Sequence, residues 1–456
     1  MQPPGDASSG AVGGLAMALA AALREHSGVW FGWSGQTIEE HTGQLSVQRI
    51  GGVTVATIDL EEQDRQEYYN GYANKTLWPL FHYRVDLSAY ERSFSEGYAR
   101  VNARFADALA PLIQPDDLVW VHDYHLMPLA QELRRRGVKN RIGFFLHIPW
   151  PARRLLATLP NHRELVEALF DFDLLGFQTE DSASAFEDYV TGELDGTITA
   201  DRRAHAFGRT VQVGAFPIGL DVETFEASAQ DEVAQAEFER MQASLSGRAM
   251  IVGVDRLDYS KGLEERFLAY EQALIDHEEL REQVFLLQIA TPSREEVGAY
   301  QDIRARLDAV TGRINGAFAT VDWVPIRYVN RAYRRDELAG VYRAAKIGLV
   351  TPLRDGMNLV AKEYVAAQDP EDPGVLILSE FAGASEQMRQ ALIVNPFNRE
   401  EVAEAIVQGL NMPKAERIAR WSVLMADLKR TDVMAWRDAY VAALRGDVAA
   451  TDRLAG

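Results

Sequence analysis

Short unbroken apolar runs recur along the chain, separated by longer stretches in which apolar residues return every three or four positions. The runs at 53–58, 118–121, 142–146, 174–177 and 211–216 predict one set of strands. Those at 250–254, 285–289, 347–350, 375–378 and 392–394 predict a second set. Helical spacing fills 98–112, 127–136, 263–277 and 400–409. Continuous apolar strands alternating with helices belong to parallel sheets buried on both faces. Two such sets predict an α/β protein of two doubly wound domains, dividing within 217–223, where a strand runs out into PIGLD. The tail from 415 to 456 reads as helical, with Trp421 and Trp436 as packing anchors.

Polar clusters begin where apolar strands stop. LVWV runs into His122, Asp123, Tyr124 and His125, and GFFL runs into His147. IVGV runs into Asp255, Arg256, Leu257, Asp258, Tyr259, Ser260 and Lys261, and GLVTPL into Arg354, Asp355, Gly356, Met357 and Asn358. In open α/β sheets ligands bind beyond the carboxyl ends of the strands, so both halves are expected to contribute to a site in a cleft between them.

Composition narrows the class. At 456 residues, with 47% hydrophobic and 25% charged residues, the chain is globular and too long for a single ordinary core. The absence of cysteine excludes disulfides, thiolate metal sites and a cysteine nucleophile. A formal charge of −20 disfavours a nucleic-acid surface and requires a local basic pocket for any anionic ligand. The apolar stretch 11–23 follows a segment with an aspartate and no lysine or arginine, unlike a secretory leader. No apolar run approaches the ~18 residues of a membrane span. The expectation is a cytoplasmic protein with no membrane or nucleic-acid partner.

Arg256 and Lys261, in DRLDYSKG, can both address one anion, an arginine fork and a lysine point charge suiting a diphosphate. The alternative is a solvated loop whose cations pair with Asp255 and Asp258. Neither GxxxxGK[ST] nor GxGxxG occurs. In RDGMNLVAKE, Asp355 and Gly356 form a turn before a helix whose first amides, near Met357, suit a phosphate. Asp355 then suits sugar hydroxyls, and Glu363, two turns deeper on a similar face, suits a ribose. An ordinary Asp N-cap and helix glutamate is the alternative. Gly13 and Gly14 permit close backbone approach. His122 and His125 have metal-like spacing but no third strong ligand nearby, which leaves Asp123 as a hydroxyl-binding carboxylate or a strand-end cap. His147 is either a buried structural histidine or part of the site. Early aromatic residues, Tyr69 and Trp78 among them, suit a sugar or the core. Arg294 is a second anion candidate or an exposed helix-start arginine.

The motifs WFGWSG, EYYN, LWPLFHY, WVHDYHLMP, GFFLHIPWP, LLGFQTE, RLDYSKG, GRING and TPLRDGMNLVAKEYVAAQ together resemble the trehalose-6-phosphate synthase family of glycosyltransferase family 20, over nearly the whole chain. The resemblance implies a GT-B arrangement: two facing Rossmann-like domains with a deep interdomain cleft, at 1–217 and 218–430, and a C-terminal helix, 431–456, returning to the first domain. It implies retaining transfer of glucose from UDP-glucose to glucose 6-phosphate, with no cofactor and no catalytic metal. Carried over by motif, Arg256 and Lys261 hold the donor diphosphate and Asp355 the donor glucose. Gly356, Met357, Asn358, Leu359, Val360, Ala361, Lys362 and Glu363 line the nucleotide-sugar site, with Glu363 on the ribose. Gly13 and Gly14 approach the donor, Tyr333 contacts the nucleotide, and His147 borders the reacting sugar. Tyr69, Trp78, Asp123 and Arg294 shape the acceptor site, Arg294 on its phosphate. Assembly as a homo-oligomer is left open.

Two departures stand out. The family begins with a strand ending in Ser-Asn-Arg, and this chain starts at Met1-Gln2-Pro3-Pro4, roughly where that arginine falls. The first strand and an acceptor-phosphate arginine are expected to be missing, at a cost in stability or acceptor affinity. Arg154 stands where relatives often carry an acid. Alternative readings are a glucosylglycerol-phosphate synthase, using glycerol 3-phosphate, and a ligand-sensing homologue with weakened catalysis.

Overall fold

The computed structural model describes residues 28–50, 53–293 and 298–447. The chain divides into two compact units, Met1–Ile218 with Met434–Gly456, and Gly219–Val433. The strands are β1 (Val29–Ile38), β2 (Ser46–Ile50), β3 (Val53–Glu61), β4 (Val119–His122), β5 (Ile142–Phe145), β6 (Leu174–Phe177), β7 (Thr197–Ile198), β8 (Arg203–Ala206), β9 (Arg209–Ala215), β10 (Ala249–Arg256), β11 (Val284–Thr291), β12 (Ile326–Val329), β13 (Ile347–Val350), β14 (Val375–Ser379) and β15 (Leu392–Val394).

In the second unit six strands form one sheet in the order β12-β11-β10-β13-β14-β15, every neighbouring pair parallel. All residues of β13 and β14 are buried, which explains why they read as unbroken apolar runs. In the first unit the strands of the described residues fall into two sheets. Its six-stranded sheet runs β4-β5-β6-β9-β8-β7, parallel from β4 to β9 and antiparallel beyond. A separate sheet has the order β1-β3-β2.

All ten predicted strands form. β1, β2, β7, β8 and β12 were not predicted: the apolar start of β1 breaks at Gly32 and turns polar after Trp33, and the others are short or mixed in polarity. β2 is almost wholly exposed, and β12 carries Arg327, whose guanidinium lies 3.8 Å from the Phe285 ring centroid. The predicted helices form as Arg92–Leu109, Leu129–Arg135, Leu263–Asp276 and Arg399–Asn411. The first of these begins six residues before its predicted start at 98. Helical segments not named from the spacing include His162–Leu169, Glu180–Glu193, Glu232–Leu245, Gly298–Phe318, Arg335–Ala344 and a π-helical stretch, Arg65–Leu77.

The C-terminal helix Val433–Arg445 belongs, from Met434, to the first unit. Tyr440 stacks on Trp120 with centroids 4.4 Å apart and donates its hydroxyl to the Phe144 carbonyl at 3.0 Å. Gly143 on β5 and Gly176 on β6 make room for it. A Cβ on Gly143 would collide with the Tyr440 hydroxyl, and one on Gly176 would lie 2.6 Å from its ring. Trp436, 1% exposed, packs on Trp120 at 4.9 Å and Phe145 at 5.2 Å. Trp421 anchors the preceding helix in the second unit, donating Nε1–H to the Val365 carbonyl at 2.9 Å.

Candidate active site

In the second unit, the loop after β10 and the loop after β13 are bound together. Leu353 N–H donates to the Ser260 carbonyl at 2.8 Å. The same β13 loop is held from the β14 side: Asp355 N–H donates to Phe381 O at 3.1 Å and Ala384 N–H to Met357 O at 2.8 Å. These ties set Lys261 Nζ 2.5 Å from Asp355 Oδ2. Asn358 Nδ2 donates to the same carboxylate oxygen at 3.0 Å, and Asn358 Oδ1 accepts from Ala361 N–H at 3.3 Å, capping the helix Leu359–Ala366. Asn358 holds a left-handed backbone, φ +79°, which asparagine tolerates better than most residues. Asp355 is therefore an ion-paired carboxylate and not the cap, and the helix begins at Leu359, two residues beyond Met357. Lys261 pairs across loops with Asp355 and not with Asp255 or Asp258. Asp255 instead accepts from the fully buried Arg266 at 2.5 Å, and Asp258 accepts from Ser260 N–H at 2.9 Å and from the Tyr300 hydroxyl at 2.9 Å.

Arg256 ends β10 and is exposed, whereas Lys261 is buried. Leu359 and Val360 are half-buried, and Gly356, Met357, Asn358, Ala361, Lys362 and Glu363 are buried. Glu363 accepts from Arg335 Nε at 3.2 Å; burial raises its carboxyl above the usual range and Arg335 opposes this. Burial pushes the Lys362 ammonium down to about 7, while its Nζ donates to Gln387 Oε1 at 2.8 Å. Tyr333, half-buried, accepts from Arg331 at 2.8 Å under a guanidinium 4.4 Å from its ring centroid. A lysine and a helix N-terminus attract phosphate, and a fixed carboxylate accepts from sugar hydroxyls.

In the first unit, His122 and His147 lie on adjacent strand ends with Nδ1 and Nε2 3.0 Å apart. His147 Nδ1 is 3.3 Å from Gln178 Nε2, at the end of β6. Asp123, at φ +75°, accepts from His147 N–H at 3.4 Å. Trp120, Phe145 and Trp436 surround the pair. Burial holds His122 down at about 3 and His147 well below the usual histidine range, with His122 adding to the second shift. Tyr69, half-buried on the π-helical segment, stacks on His125 at 5.7 Å and meets Trp33 at 5.2 Å. Trp78 is only 4% exposed, packed on His82 and Tyr124.

The histidine partnership therefore joins His122 to His147 and not to His125. Among the described residues no group of three or more carboxylates and histidines could hold a metal ion, and no helix is long and apolar enough to cross a membrane. Gly13, Gly14 and Arg294 lie outside the described residues. Sequence reasoning missed Gln178 and Arg335. Gln178 ends a strand in LLGFQTE, so the strand-end rule reaches it; Arg335 sits among neighbouring arginines with no pattern to single it out.

Two α/β units, the second carrying the Lys261–Asp355 pair at its strand ends, have the architecture of a glycosyltransferase of the GT-B class. The chain belongs to glycosyltransferase family 20, whose profile matches residues 6–446. It is 48% identical over 438 residues to the trehalose-6-phosphate synthase of Klebsiella pneumoniae, covering 96% of this chain and 92% of that one. It resembles the crystal structure of an α,α-trehalose-phosphate synthase (UDP-forming) from Burkholderia xenovorans in complex with glucose-6-phosphate. That match has TM-score 0.93 and 52% identity, covering 95% of this chain and 97% of that one. A structure from E. coli, bound with UDP-2-fluoro glucose, matches with TM-score 0.93 and 45% identity over 97% of each chain.

Proposed function

We propose that this chain transfers glucose from UDP-glucose to glucose 6-phosphate with retention, giving α,α-trehalose 6-phosphate and UDP. The observation that carries the reading is the Lys261–Asp355 pair beside the Asn358-capped helix start. Arg256, Lys261 and the first amides of the helix Leu359–Ala366 hold the diphosphate and stabilise the charge that develops as UDP departs. Asp355 and the backbone from Gly356 to Asn358 hold the donor glucose, Glu363 the ribose, and Tyr333 and the Leu359–Lys362 turn the nucleotide. Gly13 and Gly14 approach the donor. Tyr69, Trp78, Asp123 and Arg294 shape the acceptor site, and His147 borders the reacting sugar.

The bond from the anomeric carbon to the β-phosphate oxygen breaks, and the C1 hydroxyl oxygen of glucose 6-phosphate bonds to that carbon from the same face. The departing phosphate oxygen takes the hydroxyl proton, so no side-chain nucleophile takes part. The relatives' complexes with glucose-6-phosphate and with UDP-2-fluoro glucose support the two substrates. Proton NMR of the product formed from UDP-glucose and glucose 6-phosphate tests the reading. Two α anomeric signals are expected; a β linkage, or no disaccharide phosphate, would overturn it.

A further inference from the structure

Besides Asp355, Lys261 and the nucleotide helix, the reaction is expected to use His147, and the hydrogen bonds around that ring fix where its proton sits. Ile218 N–H donates to Gln178 Oε1 at 3.0 Å. A backbone N–H can only donate, so the amide oxygen of Gln178 faces Ile218 and its NH₂ faces the histidine. Gln178 is 2% exposed, so its amide is held by these protein partners and not by bulk solvent. Its Nε2–H therefore donates to His147 Nδ1, 3.3 Å away, and that nitrogen carries a lone pair. The proton of a neutral His147 then sits on Nε2, which faces His122 Nδ1 at 3.0 Å. His122 accepts there and keeps its own proton on Nε2. The order runs one way: Ile218 N–H to Gln178, Gln178 to His147, His147 to His122.

We infer that Gln178 and His122 are positioning residues that lock His147 as a neutral imidazole protonated on Nε2, with both ring nitrogens engaged by protein. His147 then borders the reacting sugar as a fixed ring and carries no proton in the transfer. This agrees with the departing phosphate taking the acceptor proton. The inference rests on the proposed transfer for its catalytic consequence but not for its geometry. Trp436, its ring centroid 6.3 Å from that of His147 and 6.4 Å from that of His122, brings the C-terminal helix against the half-buried pair.

Histidine-selective isotope labelling with imidazole nitrogen NMR reads the tautomer on the full chain without substrate, with His147→Gln supplying the assignment. A lone pair on Nδ1 and a proton on Nε2 of His147 at neutral pH is expected. A proton on Nδ1, or on both nitrogens, would overturn the inference whether or not transfer occurs. In turnover assays Gln178→Leu and His122→Leu are each expected to lower kcat by about tenfold, with little change in KM for either substrate. His122→Asn, whose Oδ1 can still accept, is expected to recover most of what His122→Leu loses. Wild-type kcat in both leucine variants would overturn the positioning role. Absence of disaccharide phosphate in the wild type, with the tautomer as stated, would instead count against the proposed transfer alone.

Discussion

Lys261 shows what a sequence can and cannot say about a single residue. Its place at a strand end marked it as a candidate, but its partner was open between Asp255, Asp258 and a ligand. The structure pairs it with Asp355, far along the chain, because the β10 and β13 loops are tied by backbone hydrogen bonds. Pairings set by topology leave no trace in local spacing, and for the same reason the cap proved to be Asn358 and not Asp355. Lys261→Ala and Arg256→Ala are each expected to lower turnover more than about tenfold, since each removes charge from the departing diphosphate. Near-normal turnover in both would refute the diphosphate assignment. Histidine burial gives a second prediction. His122 is held at about 3 in the folded protein against an ordinary value of 6.5. Between those values the unfolded chain binds a proton that the folded chain does not. The stability from the neutral ring is therefore complete above pH 6.5 and is lost as pH falls toward 3. His122→Leu is expected to flatten that fall in thermal melts taken across the interval; an unchanged slope would contradict it.

Elements were legible in proportion to how dry they are. The ten predicted strands are largely buried runs, whereas β2 and β7 offer exposed or very short sequences and β12 hides an arginine. The π-helical turn Arg65–Leu77 carries Tyr69, yet its mean pattern is polar and has no single apolar face. The C-terminal helix was legible as helical, with Trp436 as its anchor, but the notch made for Tyr440 by Gly143 and Gly176 was not. That notch is testable. Gly143→Ala sets a methyl against the Tyr440 hydroxyl, and overpacking of this kind typically costs about 1–3 kcal/mol. Tyr440→Phe alone should cost about 1 kcal/mol through the lost hydrogen bond to Phe144. The double variant should be more stable than the sum of the two losses implies, as read from denaturant midpoints; strict additivity would mean that the two do not meet. Trp436→Ala should cost about 3–5 kcal/mol in the same measurement.

At the scale of the whole molecule, a net charge of −20 means that the proposed anionic substrates need local cations, a role the proposal gives to Arg256, Lys261 and Arg294. The two-domain α/β character was readable from alternating runs, and the family from motifs spread across both units. Among the described residues, the grouping of β3 with β1 and β2 in a sheet of their own was not readable, since β1 and β2 were not predicted as strands. The acceptor is the least local property of all, since the proposal assigns it to Tyr69, Trp78, Asp123 and Arg294, which come from separate stretches of chain. It is also the center of the functional account. The most direct measurement is UDP release from UDP-glucose with glucose 6-phosphate, with glycerol 3-phosphate and with no acceptor. Release that depends on glucose 6-phosphate is predicted. Equal or faster release with glycerol 3-phosphate, or silence with every acceptor, would contradict it.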